Sequence, residues 1–539
     1  MKRIGILCVI IAALQILYIS QTRQYPQWDE HHYLSIAVKT VDAVHEKGII
    51  GLADIIPIST YRQPFYSLIL TLILLVVGTS ESYTVALLLN VLFFSFSILG
   101  TYALARQFLS NASSIIAAFL FATFGNALFY AHFTYVETAT TTMIVWTLYF
   151  LKKSDMFQST RYTLWTTIFF ILATLTRFVA PAFLLGPILL NIIILMIKTF
   201  FMSFLRRQES IPKVNNDSQI NTHYKLFFPQ WKNLILFLLC SILIPLFIYF
   251  IPNQERFLYY VNANQSNGAA WVAQYRDPAM ANTFSLRSIT YYVNILQQNT
   301  IGIFLLFALG MGVIGIEILK SFFQKPSRFP LATYYFLLTT FLSGYSFLTF
   351  LAIWKEDRFL VLLYPIVAII SALLFDYLPR RVIYISLVVI TLGVGSLNAL
   401  GALFGVGPMG QKGLVDYITP KWLPHPRRFY LTPLVWPPTK EYSNADIFVD
   451  VIQKDWKQER KATILFTFTH EPFQNAVQSI LWYEKRNLAE LTIGNEATEA
   501  STFDFIVSQK EFTTRPFQVL SPIHIPYDQS TVYVVKNIQ

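Results

Sequence analysis

The chain has 539 residues, 54% hydrophobic and 16% aromatic, with only 13% charged; an ordinary soluble domain carries about 25% charged residues. With a mean hydropathy of +0.48, this excludes a soluble enzyme and points to a polytopic membrane protein. The formal charge of +11 falls in short basic clusters between apolar runs, the pattern that orients spans, and not in a continuous patch for nucleic acid.

Lys2 and Arg3 lead into the first apolar run, and no small-residue cleavage site follows, so this run reads as a retained signal anchor. Cys8 and Cys240 lie in different runs, which argues against a disulfide framework or a thiolate metal site. Runs near spanning length occur at 4–20, 83–105, 112–131, 137–152, 163–177, 179–200, 232–251, 299–320, 331–352, 359–378 and 382–404. The segment 64–79, "PFYSLILTLILLVVGT", is a further candidate. Suppose that it does not span and that the N-terminus is inside. Every dense basic cluster then lies inside: Lys2/Arg3, Arg106, Lys152/Lys153/Arg161, Arg206/Arg207 to Lys232, Lys320/Lys325/Arg328 and Arg380/Arg381. The expectation is eleven spans, a juxtamembrane or re-entrant helix at 64–79, a cytoplasmic N-terminus and an outer C-terminus.

This topology gathers 21–63, "HFTYVE" at 132–137, the loop 252–298, "WKEDRF" at 354–359 and everything after 405 on the outer face. The inner loop 201–231 is polar and is assigned no chemistry. A proline-rich linker is expected at 405–439, and a small outer α/β domain at 440–539. There "ATILFTFTHEPFQNAVQSILWYEKRN" reads as a strand and an amphipathic helix, and "TFDFIVSQ" and "STVYVVKN" read as strands. No internal repeat is evident.

From Asp29 the pattern is helical. Tyr33, Ile36, Ala37, Val41 and Val44 recur at spacings of three and four, Ser35, Lys39, Asp42 and Glu46 lie opposite, and Gly48 is a stop. Asp29 and Glu30 suit the first turn of an interfacial helix, where carboxylates meet the helix dipole; they equally suit a reactive cluster. Glu137 opens a run after "AHFTYV", as a helix-start acid or a paired functional group. Lys355, Glu356, Asp357 and Arg358 form a solvated corner or a binding cluster, and Arg62 and Arg177 add cations, the latter able to snorkel from a span end. His31, His32 and His132 could join the carboxylates around a divalent ion, or be surface groups. Together, a carboxylate base and an arginine set on one face suit nucleophilic attack on a phosphate-linked carbon. The base takes the acceptor's proton, and arginine holds the departing phosphate.

The order of motifs resembles the GT-C membrane glycosyltransferases, in the branch of protein O-mannosyltransferases and lipid A aminoarabinose transferases. "WDEHHYLSIA" is similar to that branch's Asp-Glu-x-x-Tyr loop after the first span, and "YRQPFYSLILTLILLVVG" to its proline-led juxtamembrane helix. "LLLNVLFFSFSILGTYALARQF" resembles the next span, "ATLTRF" a Leu-Thr-Lys stretch, and "EDRFLVLLYPIVAIISAL" the late Arg-Tyr-x-x-x-x-x-Pro span. The likeness runs over roughly residues 1–380. It implies an all-α polytopic membrane domain with a small C-terminal α/β domain. It also implies an inverting transferase in a bacterial inner membrane, with a sugar on polyprenyl phosphate as donor and a lipid, glycan or protein as acceptor.

Carried over by position, Asp29 is the catalytic base, Glu30 orients the acceptor or a metal, and Glu137 supports the same site. Tyr33, Arg62, Arg177, Lys355 and Arg358 are the substrate-binding candidates. No cofactor is implied beyond an optional divalent metal, for which Asp29, Glu137 and His132 are candidates. Arg62-Gln63-Pro64 and Glu137 in place of Asp depart from the family pattern. The rival reading is a polytopic lipid or solute transporter or flippase, which calls for ionisable residues at mid-span and discontinuous helices in both halves.

Overall fold

The computed structural model describes residues 2–404, except 22–28, 61, 80–81, 210–216, 276–279, 281, 300–302, 324–330, 353–354 and 379–380. It also describes 445–537, except 459, 468–476, 478–480, 482–488, 494–502, 510–516 and 526–529. In chain order the helices are α1 Lys2–Gln21, α2 Asp29–Lys47, α3 Ile55–Ser59, α4 Phe65–Val77, α5 Ser82–Ala105 and α6 Asn111–Ala122. They continue as α7 Gly125–Ala131, α8 Glu137–Lys153, α9 Thr160–Thr176, α10 Ala180–Glu209, α11 Asp217–Pro245 and α12 Gln254–Tyr275. The last of this part are α13 Leu286–Asn299, α14 Ile303–Phe322, α15 Leu331–Ser346, α16 Tyr364–Tyr377 and α17 Arg381–Phe404.

Among the described residues, eight helices are long and apolar enough to cross a membrane, and α6 with α7, bent by 59°, makes a ninth if the pair is one span. The protein is therefore an integral membrane protein. The expectation of eleven counted 137–152 and 163–177 as well. These are α8 and α9, each of 17 residues and about 25 Å long, at the short end of the roughly 17–25 residues of a spanning helix. Helix α4 has 13 residues and rises only about 20 Å.

Burial sorts the spans. The stretch Asp357–Tyr377 is 83% buried, against 28% for α1 and for Phe304–Ser321. Helix α16 is thus the axis of the bundle, and α1 and α14 present one side to lipid. Gly310 lets α14 meet α16: a Cβ there would lie 2.1 Å from the Ile370 carbonyl oxygen. Small residues permit such close approach where no hydrophobic effect drives helices together. Asp376, near the end of α16, accepts from the Ser110 N–H (2.9 Å) and the Ser113 hydroxyl (2.7 Å), which fixes the start of α6.

Helix α2 ends where the sequence placed its stop, since Gly48 follows with φ +69°. Its burial is wider than the apolar stripe. Ser35, expected on the polar face, is buried. Helix α4 packs along α2, and its Ser67 and Thr71 hydroxyls donate to the Tyr33 and Ala37 carbonyls at 2.9 and 3.3 Å. These contacts enclose α2 on a second side.

Beyond residue 444, helix Ala445–Asp455 covers one face of a five-stranded sheet ordered β2-β1-β3-β5-β4. The strands are β1 Ala462–Phe466, β2 Ala489–Ile493, β3 Phe505–Ser508, β4 Phe517–Ile525 and β5 Ser530–Asn537. β1 pairs in parallel with β2 and β3, while β5 is antiparallel to β3 and β4. Phe448, Val449 and Ile452 of the helix share a core with Ile464, Phe466, Val507 and Val534. Leu465, Ile506 and Val535 alternate to the other face, as the two-residue period of a strand requires. Arg460 pairs with Asp504 through two hydrogen bonds of 2.6 and 2.8 Å. The proline-rich segment 405–439 and most of the helix expected after β1 lie outside the described residues.

Candidate functional site

The chain turns a corner at His132–Val136, between α7 and α8, and two helices, α5 and α2, hold it. Asn90, wholly buried in α5, donates its side-chain amide to the Phe133 carbonyl and, at 3.3 Å, to that of Tyr135. Glu30, 1% exposed in the first turn of α2, accepts from the Thr134 N–H at 2.6 Å and the Thr134 hydroxyl at 3.2 Å. Tyr83 of α5 donates to the same carboxylate oxygen at 3.3 Å. A buried carboxylate needs such donors, because desolvation without them is costly. Glu30 thereby joins the start of α2 to the corner 104 residues away. Asp29 is the first residue of α2, and its side chain lies outside the described residues.

At the far end of the corner Glu137 opens α8, wholly buried. Arg177, which caps the end of α9 in extended conformation, donates to its Oε1. Arg358 approaches the same oxygen with Nε at 3.5 Å, and Nε also makes a close ion pair with Glu356. The two guanidinium groups are 13% and 15% exposed, and Glu356 is 19% exposed. Aromatic faces line them: Arg177 lies 4.7 Å from the Phe359 ring centroid, and Arg358 5.2 Å from that of Tyr135. Such rings hold a guanidinium without competing for its hydrogen bonds. Oε2 of Glu137 is buried and has no hydrogen-bond partner among the described residues. Three acid- or base-bearing segments from distant parts of the chain, 137, 177 and 356–358, therefore meet.

Asp357 is turned the other way. Its carboxylate accepts from the Tyr130 hydroxyl at 2.9 Å, and its carbonyl from the Asn126 side-chain amide at 3.3 Å. This ties the turn that carries Arg358 to α7. Tyr33 and Arg62 form a separate pair: the guanidinium donates to the phenol oxygen at 3.5 Å and lies 5.4 Å from its ring centroid. Lys355, also expected to bind substrate, is wholly buried. Its ammonium donates to the Leu348 and Thr349 carbonyls at 2.7 and 2.6 Å, closing the helical end that precedes it. Burial pushes this amine down to about 8.

His31 and His132 are neutral at ordinary pH. Burial, and secondarily the charges of His32 and Lys39, push His31 down to about 3, and burial does the same to His132. His132 stacks on Tyr18 of α1 with ring centroids 4.3 Å apart. Of the three metal candidates, Glu137 faces two guanidinium groups and His132 faces a ring, while the Asp29 carboxylate lies outside the described residues. Among the described residues no three His, Cys, Asp or Glu side chains gather as a metal would need. Of the described candidates, Glu137 and His132 do not meet in one donor set.

Asn90, Tyr83, Thr134 and Tyr130 are the residues of the site that the sequence reading missed. Asn90 carried a signal: a lone amide inside "LLLNVLFF" is expensive in an apolar span unless it has partners. Thr134 carried none, since its contribution is chiefly a backbone N–H.

No family model matches the sequence, and no curated protein matches it either. Solved structures do. The crystal structure of ArnT from Cupriavidus metallidurans in the apo state superposes with a TM-score of 0.54 at 13% identity, covering 98% of this chain and 97% of that one. ArnT from the same organism bound to undecaprenyl phosphate gives a TM-score of 0.52 at 13% identity with the same coverage. The apo oligosaccharyltransferase of Archaeoglobus fulgidus is more distant, with a TM-score of 0.48 at 13% identity, covering 93% of this chain and 69% of that one. The chain thus has the fold of ArnT over nearly its whole length, the GT-C arrangement expected from the sequence.

Proposed function

We propose that this chain is an inverting glycosyltransferase that moves a sugar from a polyprenyl-phosphate donor to a lipid, glycan or protein acceptor at the outer, periplasmic face of a bacterial inner membrane. The observation that carries the reading is the meeting of Glu137, Arg177 and Arg358 beside a corner that Glu30 fastens to the Asp29 end of α2. Two partly exposed cations beside a wholly buried carboxylate suit a phosphate leaving group. The ArnT crystal that contains undecaprenyl phosphate supports the choice of a polyprenyl phosphate.

In this reading the Asp29 carboxylate takes the proton of an acceptor hydroxyl as its oxygen attacks the anomeric carbon from the face opposite the phosphate. The new carbon–oxygen bond forms as the bond to the phosphate oxygen breaks, and the phosphate leaves with the electron pair. Arg177 and Arg358 offset the charge that develops on it. An anionic phosphate needs no general acid, unlike the sugar leaving groups of glycosidases, where two carboxylates share the work. Glu30 is the tether that sets where Asp29 stands, and Tyr33 of α2 pairs with Arg62 from the segment between α3 and α4.

The bend of 59° between α6 and α7 is the observation that favours the rival, a transporter or flippase with a discontinuous helix. One assay separates them. In reconstituted vesicles, Asp29→Asn is expected to abolish sugar transfer from a polyprenyl-phosphate donor while the protein stays folded. Full transfer in that variant removes Asp29 as the base. Polyprenyl-linked sugar that crosses the bilayer without being consumed supports the rival.

A further inference from the structure

The guanidinium set is already paired. Among the described residues, Glu137 pairs with both Arg177 and Arg358, and Glu356 pairs with Arg358. A phosphate that joins Arg358 competes with the two carboxylates already there. The two are not equivalent. Glu137 is wholly buried on α8, and breaking its pairs would leave an uncompensated charge inside the protein, which is strongly unfavourable. Glu356 is 19% exposed and sits in extended backbone (φ −119°, ψ 137°) just before the turn Asp357–Leu363. Rotation of its side chain delivers its charge to solvent. The backbone that carries Arg358 is anchored, because the neighbouring Asp357 is held by Tyr130 and Asn126.

We propose that Glu356 is a placeholder for the phosphate of the polyprenyl ligand. It holds Arg358 when the site is empty, gives way as charge builds on the phosphate during transfer, and competes with the spent polyprenyl phosphate for Arg358, which speeds its release. The inference rests on the function proposed above. It makes Glu356 a residue that tunes which anions bind. A weakly charged phosphodiester competes poorly with the carboxylate. The phosphate on which charge builds during transfer competes well, so Arg358 is engaged more fully as the bond breaks. No covalent step involves Glu356.

The test is equilibrium binding of undecaprenyl phosphate to the full chain in detergent, followed by tryptophan fluorescence. Removing the competitor in Glu356→Gln should tighten binding about three- to tenfold, the scale expected of a partly exposed ion pair. Arg358→Gln should weaken it. Glu356→Ser should behave like Glu356→Gln, which covers the case in which one variant fails to fold, and thermal unfolding monitors folding in each. In turnover, Glu356→Gln should lower KM for the donor and also lower kcat as product release slows. A merely structural Glu356 would instead raise KM. If Arg358→Gln weakens binding while both Glu356 variants bind as the wild type or more weakly, the placeholder is overturned and the transferase reading stands. If no variant nor the wild type binds the lipid, both fall together.

Discussion

Lys355 and Glu30 show how little a residue's type says about its use. Both are charged, both were expected at the substrate, and both are held within the fold by backbone partners. For Lys355 this has a pH signature. Its amine is held near 8 in the fold against an ordinary value of about 10.4. Below about pH 8 both states are protonated and the burial penalty is fully present. Between the two values the unfolded chain binds more protons, so stability rises with pH across that window. Thermal unfolding in detergent at pH 7.5 and 9.5 should show a rise in the wild type that is reduced in Lys355→Met. Equal slopes in the two proteins would contradict the assignment. The residue-level legibility of the site was uneven for a definite reason. "WDEHHY" announces a helix start and a charged cluster. That Glu30 turns toward Thr134 depends on a contact across 104 positions, which no local pattern encodes. Glu137, Arg177 and Arg358 were each visible as charges at span ends, but their convergence on one carboxylate oxygen needed three helices to be placed.

Helices were legible where their own sequence punctuates them. Gly48 stops α2, and the alternation of "TILF" and "TVYVV" gives β1 and β5. β2 and β4 were not singled out because "AELTI" and "FQVLSPIHI" mix polar residues and a proline into the run. β4 is an edge strand with an irregularity between Val519 and Ser521, where a proline is tolerated. Ser35 was misassigned to a polar face because periodicity sees one packing partner and α2 has two. Packing between spans gives a sharper element-level expectation. A methyl group on Gly310 would collide with the Ile370 carbonyl, whereas one on Gly312 meets nothing within 4 Å. Gly310→Ala should therefore cost about 1–3 kcal/mol by forcing α14 from α16, and Gly312→Ala should be neutral or gain up to about 1 kcal/mol of helix propensity. Thermal unfolding of the two variants side by side is the check, and similar midpoints would show that α14 does not pack this closely.

At the scale of the molecule, the membrane domain and its GT-C arrangement followed from hydropathy and motif order; of the eleven spans expected, eight or nine are long and apolar enough among the described residues. Charge asymmetry placed 64–79 on one side of the bilayer, and a 13-residue α4 is too short for a full crossing. The topology is tested with cysteines at positions flanking α4. After replacement of Cys8 and Cys240 by alanine, Ile50→Cys and Thr79→Cys should both react with a membrane-impermeant maleimide added from outside. Reaction at one position only would mean that α4 crosses and would reverse every later span.

The Asn90 amide has a consequence for where this protein can work. It grips the corner 133–135 from within α5, and Glu30 grips the same corner from α2. The distance between the two acidic ends of the site is therefore set by side-chain hydrogen bonds within one peptide turn, and not by how far neighbouring spans protrude from the lipid. A thinner or thicker bilayer tilts long helices, but here the tilt carries the corner along as a unit. For the transferase proposed above, this predicts a reacting geometry insulated from membrane thickness, with one sequence keeping its alignment as the lipid composition around it changes.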